Sequence, residues 1–358
     1  MPGFQVEAAV ASQAPEDLQL TVTPPHHTPS GFRNPWPDAE PRGLANLLRW
    51  FAERHTTRRP PPDPDPSIFP LVTPRLGQAT TDGDLAVTWL GHSALLLEFA
   101  GLTVLTDPML GEYAAPLPAA RLKRWVKPGI PVEGLPPIDL VLLSHNHYDH
   151  LDAPTVRTLA ELQPEILWCV PLRLGKLLRR LGVNRIEEFD WWDEKQLGIA
   201  SVAATPAQHF TARSVHDRNR TLWCGFTVRV GKRAAYFAGD TAYHPEFSLI
   251  GERLGPFDLV LIPVGAYEPR WFMEVVHMNP EEAIAAYDDL RDGSGKEERK
   301  KGRKVPDPAM VPIHWGTFKL TDEPMDEPPR LTRNLWEQPG KEPGKLWMLK
   351  HGETRLLR

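Results

Sequence analysis

The sequence predicts a layered α/β domain, and three observations support this prediction. Short apolar runs bounded by Gly, Pro or Asp recur along the chain and indicate β-strands. Segments with apolar residues at helical spacing lie between several of these runs. The composition, with 41% hydrophobic and 24% charged residues, is that of a folded protein with a substantial core. Strands that alternate with helices and hairpins are typical of layered α/β architectures.

The predicted strands all lie between residues 85 and 313. They cover 85–90, 94–99, 101–108, 138–143, 201–205, 222–230, 234–238, 259–263 and 309–313. Helices are predicted at 44–51, 154–162, 172–181 and 280–290. The last of these has Asn279 as its cap, Pro280 at its first position and acidic residues in its first turn, a pattern that favours a helix start.

Changes in composition divide the chain into three parts. Residues 1–41 are rich in Pro, Thr and His without periodicity, and we expect an extended N-terminal arm. Residues 42–84 contain a short amphipathic helix and a Pro-rich segment, which either pack on the following domain or contact a membrane surface. Residues 85–358 form the predicted main domain, with a charged surface loop at 291–308.

The bulk numbers exclude some classes of function. The chain has 41 Lys and Arg against 46 Asp and Glu, and a net charge of −5 argues against a nucleic-acid-binding protein. Its two cysteines, Cys169 and Cys224, lie in apolar runs and suggest buried thiols in a reducing compartment. Because neither a signal peptide nor a membrane-spanning stretch is visible, we expect an intracellular protein that is cytosolic or peripherally membrane-associated, not secreted.

A cluster of ionisable residues follows the predicted strand 138–143. It has the form His145-x-His147-x-Asp149-His150. Imidazole and carboxylate ligands together suit a divalent ion such as zinc. Since the cluster supplies two pairs of ligands, it favours two adjacent metal ions, each of which needs further ligands from elsewhere.

Three residues can supply those further ligands. His209, Asp240 and His314 each come directly after an apolar strand. A single polar residue in such a place is usually part of a turn, but three together, in a chain that needs more ligands, favour metal binding. Asp107 also ends a strand, and we expect it to orient a ligating His.

The order of these motifs resembles the metallo-β-lactamase superfamily, with a match over residues 85–358. The resemblance implies a four-layer αββα sandwich with the metal site at one edge. It implies that one zinc ion is held by His145, His147 and His209, and a second by Asp149, His150 and His314, with Asp240 between them. The reaction class is then hydrolysis by a metal-bridging hydroxide.

Longer blocks resemble the N-acylphosphatidylethanolamine-hydrolysing phospholipase D family. They include 32–37, 190–192, 262–273, 313–318 and 349–355. The resemblance implies a zinc-dependent phosphodiesterase that releases N-acylethanolamine and phosphatidic acid from a phospholipid. It further implies catalytic roles for Asp149 and His277, a substrate-binding role for Tyr148, association with a membrane surface and a homodimer.

Other residues could meet the requirements of a lipid substrate. Arg121, Lys123 and Arg124 surround aromatic and apolar residues, a mixture that suits lipid headgroups, although an ordinary solvated basic turn has the same composition. Trp271 could line an acyl channel or belong to the core.

Three other functions are compatible with parts of this pattern. A sugar-phosphate lactonase of the same fold would share the metal cluster, but it would lack the block at 262–273. A nuclease of this fold would carry an additional nucleic-acid-binding domain. A non-enzymatic lipid-binding protein would have no need for all the candidate ligands.

Overall fold

The structure is a computed structural model that describes residues 23–214, 216–296, 300–302 and 304–358. In these residues the strands form two mixed β-sheets. In chain order the strands are β1 Leu85–Gly91, β2 Ala94–Phe99, β3 Leu102–Thr106, β4 Leu140–Leu142, β5 Leu167–Pro171, β6 Ile186–Phe189, β7 Glu194–Leu197, β8 Ala200–Thr205, β9 Gly225–Val230, β10 Arg233–Phe237, β11 Leu259–Pro263, β12 Ala309–Ile313 and β13 Thr354–Leu357.

Each sheet has an antiparallel part and a parallel part. The first sheet has seven strands in the order β13-β1-β2-β3-β4-β5-β6, and its parallel part runs from β3 to β6. The second has six strands in the order β12-β11-β10-β9-β8-β7, with β10, β11 and β12 parallel. Parallel neighbours bring their carboxyl ends to the same edge of a sheet, so residues that follow β3 and β4, or β10 and β12, meet there.

The described residues also form helices, several of which cover the outer faces of the two sheets. They are α1 Leu44–Thr56, α2 Ala153–Leu162, α3 Gly175–Arg180, α4 Phe247–Leu254, α5 Arg270–Met273, α6 Pro280–Gly293 and α7 Glu327–Trp336. The predicted start of α6 is confirmed, because Asn279 and Glu282 form a reciprocal capping box with N···O distances of 2.9 and 3.0 Å.

Two hydrophobic clusters give the molecule four layers. The larger cluster lies between the sheets, with Trp89 and Phe226 from opposite sheets among its buried members, and it extends to Ile250 of α4 and Tyr287 of α6. The smaller cluster joins the other face of the first sheet to α2 and α3. The predicted four-layer αββα sandwich is therefore confirmed.

Local patterns misplaced or missed several elements. Of the helix predicted at 172–181, only Gly175–Arg180 (α3) is helical, and the strand predicted at 222–230 begins at Gly225. The strands β5, β6, β7 and β13 and the helices α4 and α7 were not predicted. The two exposed positions of β7 and the partly buried β13 show why, since short edge strands carry little apolar pattern.

The helix α1 is longer than predicted, and the structure shows which of its residues are buried. Trp50 is the buried residue of α1 and packs in a small cluster with Met273, while its indole N–H donates to Asp322 Oδ2 at 2.6 Å. Leu44, Leu48 and Phe51, whose spacing defines the apolar face of the helix, are 71%, 61% and 41% exposed. Because helical periodicity identifies an apolar face but not its partner, the sequence could not separate these two sides of α1.

The ends of the predicted segments also differ from the structure. Residues 1–22 of the predicted N-terminal arm lie outside the described residues. The predicted charged loop at 291–308 is partly helical, because α6 continues to Gly293 and residues 296 and 300 are helical as well. Both cysteines are buried, as expected. None of the helices in the described part of the chain has the length and apolar character needed to cross a bilayer.

Candidate metal centre

The candidate ligands come from the carboxyl ends of four strands. The loop 144–150 follows β4 of the first sheet, whereas His209, Asp240 and His314 follow β8, β10 and β12 of the second. Gly239 has a φ of +62°, and a Cβ there would lie 2.5 Å from the Cβ of Ser144. Only glycine therefore lets the end of β10 approach the loop 144–150 and bring Asp240 beside it.

The first group of candidate ligands consists of three imidazoles and one carboxylate. His147 Nδ1 lies 2.9 Å from His145 Nε2 and 3.1 Å from His209 Nε2. Asp240 Oδ2 lies 3.8 and 3.7 Å from the Nε2 atoms of His145 and His209. These atoms lie within 4.8 Å of one another, a spacing that a single divalent ion can bridge.

The second group shares Asp240 with the first. His150 Nε2 lies 2.9 Å from Asp240 Oδ2, and His314 Nε2 lies 3.2 Å from Asp240 Oδ1. Asp149 Oδ2 is 3.4 Å from the Nε2 atoms of both His150 and His314. The structure thus brings together all seven residues predicted as ligands, with Asp240 between the two groups.

Several buried atoms of the second group require an additional partner. The contacts of His150 Nε2, His314 Nε2 and Asp240 Oδ1 are short, but among the described residues none of them has the geometry of a hydrogen bond, although all three atoms are shielded from water. Buried polar atoms are almost always satisfied, and these point toward the same place. A divalent cation would satisfy them, and their donor chemistry fits such an ion.

The pKa shifts of the candidate ligands also favour the binding of a cation. Burial lowers the pKa of His147 to about 3 and that of His209 to about 4, so both imidazoles are neutral and able to ligate. Burial also acts to lower the pKa of His314, but the carboxylates of Asp240 and Asp149 outweigh it and raise this pKa to about 9. The same negative field would attract a divalent cation in place of the proton.

Further contacts orient the candidate ligands. Asp107 Oδ2 accepts a hydrogen bond from His150 Nδ1 at 2.5 Å, and both carboxylate oxygens accept from Ser144. His209 Nδ1 donates to the carbonyl of Val276 at 2.9 Å. These bonds leave the Nε2 atoms of His150 and His209 facing the centre. The position of Asp107 agrees with the orienting role expected from the sequence.

His277 and Tyr148 lie beside the two groups. The ring of His277 is 5.0 Å from that of His209 and 5.2 Å from that of His314, and its side chain is partly exposed. The Tyr148 hydroxyl donates to the carbonyl of Arg213 at 2.9 Å, and the Arg213 guanidinium lies 3.8 Å from the Tyr148 ring. Tyr148 and Arg213 line a pocket of about 290 Å³ next to the loop 144–150.

The three basic residues predicted to meet a lipid surface occupy different environments. Arg124 is buried, and its guanidinium donates to the carbonyls of Met109 and Gly111 and lies over Phe318, so it supports a loop instead of facing lipid. Lys123 is half exposed and pairs with Glu112 at 2.9 Å. Arg121 is 38% exposed and lies 4.0 Å from Asp322, beside α1.

Trp271 packs against α1. It is partly buried in the cluster that contains Trp50, and the Arg49 guanidinium is 4.4 Å from its ring. These contacts are compatible with packing in the core and do not test the prediction that Trp271 lines an acyl channel.

The prediction missed one residue at the centre, His92. Its Nε2 lies 3.0 Å from Asp149 Oδ2, and its ring is 4.0 Å from that of His314. The sequence did contain a signal for it, because His92 lies in the short turn Gly91-His92-Ser93 between two apolar strands. A polar side chain that is buried at such a turn needs a hydrogen-bond or metal partner.

Comparisons with known proteins agree with this site. Residues 103–315 match the family model described as the beta-lactamase superfamily domain. The chain is 35% identical over 290 residues to N-acyl-phosphatidylethanolamine-hydrolyzing phospholipase D 1 of Caenorhabditis elegans, covering 78% of this chain and 77% of that protein. It is also 37% identical over 328 residues to the uncharacterized protein Rv0906 of Mycobacterium tuberculosis, covering 90% and 82%.

Solved structures show the same fold. Igni18, a metallo hydrolase from the archaeon Ignicoccus hospitalis, superimposes with a TM-score of 0.54 and 22% identity, over 77% of this chain and 99% of that one. The two groups of histidines and aspartates, the four-layer fold and these relatives all indicate the same family. The chain belongs to the metallo-β-lactamase superfamily, as a metal-dependent hydrolase related to the N-acylphosphatidylethanolamine-hydrolysing phospholipases D.

Proposed function

We propose that this protein is a zinc-dependent phosphodiesterase that hydrolyses N-acylphosphatidylethanolamine to N-acylethanolamine and phosphatidic acid. The observation that carries the proposal is the pair of donor groups that share Asp240, in a chain 35% identical to a protein named for this activity. A site for two cations suits a phosphodiester, because the attacking oxygen and the leaving oxygen both carry charge in the transition state.

The seven candidate ligands would hold two zinc ions. The first ion would be held by His145, His147, His209 and Asp240, and the second by Asp149, His150, His314 and Asp240. Bound there, the two ions would supply water of lowered pKa and neutralise charge on the phosphoryl oxygens. The protein positions these ligands through the bonds of Asp107 and the Val276 carbonyl.

His277 is the residue proposed to contact the phosphate. Its Nδ1 is buried and has no hydrogen-bond partner in the described part of the chain, while its carbonyl accepts from Arg270 at 3.2 Å. Burial lowers the pKa of His277 well below its usual range, so the imidazole is neutral at pH 7. A neutral ring can donate one hydrogen bond to a phosphoryl oxygen, and this favours phosphate binding over transfer of a proton.

A phospholipid substrate requires contact with a bilayer, and α1 is the proposed contact surface. Leu44, Leu48 and Phe51 share one exposed side of this helix, which packs through Trp50 on the cluster that contains Met273 of α5. Exposed apolar residues beside the Arg49–Glu53 ion pair suit the boundary between lipid headgroups and acyl chains. The homodimer expected from the family resemblance remains a prediction.

The activity is tested with purified protein and N-acylphosphatidylethanolamine in mixed micelles. We expect phosphatidic acid to be released with zinc and not after treatment with a chelator. The variant His147→Ala should lose the activity while it stays folded, and His216→Ala, which changes an exposed histidine outside the metal groups and outside α1, should keep it. Hydrolysis of a sugar-phosphate lactone without cleavage of the lipid would instead identify a lactonase.

Membrane contact is tested by sedimentation with vesicles that contain phosphatidic acid. We expect Leu44→Ser combined with Leu48→Ser to reduce the bound fraction at least threefold. Ile199→Ser is the matched control, because Ile199 is 55% exposed but lies before β8, at the end of that strand opposite to His209. Equal binding of all variants would contradict a role for α1.

A further inference from the structure

His92 occupies a strained turn that is fixed to the segment carrying His314. It lies between β1 and β2, is buried, and has a φ of +57°, a conformation uncommon for residues other than glycine. Its backbone N–H donates to Thr317 Oγ1 at 2.7 Å, and its carbonyl accepts from His314 N at 3.2 Å. The indole N–H of Trp89 donates to the same carbonyl at 2.9 Å.

This turn directs the imidazole of His92 to the carboxylate of Asp149. The distance from His92 Nε2 to Asp149 Oδ2 is 3.0 Å. The same oxygen lies 3.4 Å from the Nε2 atoms of His150 and His314. Asp149 Oδ2 is thus surrounded by three imidazoles, of which two were predicted as metal ligands and His92 was not.

His92 could either ligate a metal or donate a hydrogen bond to Asp149. As a ligand it would need a lone pair on Nε2 and a proton on Nδ1, and ligating histidines normally donate this second N–H to an acceptor. His150 and His209 make such bonds to Asp107 and to a backbone carbonyl. His92 Nδ1 has no such partner among the described residues, but neither has Nδ1 of His314, so this feature alone does not separate the two roles. The contacts of Nε2 do separate them: within the described residues His92 Nε2 forms an ion pair with Asp149 alone, whereas the Nε2 atoms of His150 and His314 also lie 2.9 and 3.2 Å from Asp240.

We propose that His92 is a positioning residue whose Nε2–H donates to Asp149 Oδ2 and holds that carboxylate in the orientation that binds the second metal. The proposal rests on the proposed function only in taking Asp149 as a metal ligand. Without the bond, the Asp149 side chain would be free to rotate away from His150 and His314, and the affinity for the second ion would fall.

The test is titration of metal-depleted protein with cobalt(II), followed by its d–d absorption, for wild type, His92→Met and His92→Gln. Methionine and glutamine are similar in length and meet the same backbone strain, but only glutamine carries an N–H donor near the position of Nε2. For His92→Met we expect the first equivalent to bind as in wild type and the second to bind about 10–100-fold more weakly. For His92→Gln we expect both equivalents to bind within about threefold of wild type.

Three results would overturn the proposal. Wild-type binding of both equivalents by His92→Met would show that the bond is unnecessary. Equal loss in His92→Gln would show that the imidazole itself is required, as for a ligand. Equal weakening of both equivalents would indicate a general effect on folding. Failure of the proposed function is separate, since wild-type protein that binds two cobalt ions and does not cleave the lipid would leave these comparisons intact.

Discussion

Replacing Asp107 by asparagine should weaken binding of the second metal without removing any of its ligands. Asp107 is fully buried, and its Oδ2 accepts from His150 Nδ1 at 2.5 Å and from Ser144 Oγ at 2.6 Å, while Oδ1 accepts from Ser144 N at 2.7 Å. An asparagine can keep the bond from Ser144 N, and the Ser144 hydroxyl can rotate to accept. The new amide N–H₂, however, cannot accept the proton of His150 Nδ1.

His150 would then have two unfavourable choices. It could keep an unpaired proton on Nδ1, or move the proton to Nε2, where it blocks the lone pair needed for the metal. Loss of a buried bond to a charged acceptor costs about 1.5–3 kcal/mol. Since about 1.4 kcal/mol corresponds to a tenfold change in affinity, we expect metal binding to weaken about 10–100-fold.

The assay is zinc titration of metal-depleted protein in competition with a chromophoric chelator. The matched control is Asp139→Asn, because Asp139 Oδ2 also accepts a backbone N–H, that of Thr103, at 2.7 Å, but does so at an exposed position just before β4. We expect the control to bind zinc as wild type does. Wild-type affinity for both ions in Asp107→Asn would refute the idea that Asp107 sets the protonation of His150.

Three further predictions concern the framework of the site. Gly239→Ala should abolish activity and destabilise the protein, because the left-handed backbone alone costs roughly 1–2 kcal/mol and the new Cβ would collide with Ser144. The control is Gly231→Ala, where φ is +56° and no atom lies within 4 Å of the new Cβ. In urea unfolding, the control should lose only the free energy that the left-handed backbone costs. Trp50→Ala should increase the rate of tryptic cleavage within α1 at least tenfold, because it removes the buried side chain of that helix and the hydrogen bond from the indole to Asp322. An unchanged digestion pattern would show that other contacts hold α1 in place. Removing the metals with a chelator should lower the Tm by roughly 5 °C for each ion lost, because a ligand at 1,000 times its Kd contributes about 4 kcal/mol and the unfolding entropy of 358 residues is roughly 0.75 kcal/mol/K. Zinc should restore the Tm, and a Tm independent of zinc would contradict a structural contribution of the ions.

The parts of this protein that were predictable depend on local patterns. The cluster from His145 to His150 is recognisable because its ligands are close in sequence and follow a buried strand. The capping box of α6 is equally local, since Asn279 and Glu282 are three residues apart. In contrast, the short edge strands β7 and β13 carry little apolar pattern, and their pairing with β8 and β1 defines them.

The sequence by itself determined the donor chemistry, the αββα fold class and the family, because residue types and their order along the chain are sufficient for these. Tertiary structure alone decided that His92 contacts Asp149, 57 positions away, and that Arg124 is buried under its own loop. It also decided which side of α1 is packed and which is exposed. The physical reason is that such contacts depend on turn conformation and on packing between distant segments, neither of which the spacing of residues records. For the metal centre, the ligands were therefore predictable, and the hydrogen bonds that orient them had to be found in the fold.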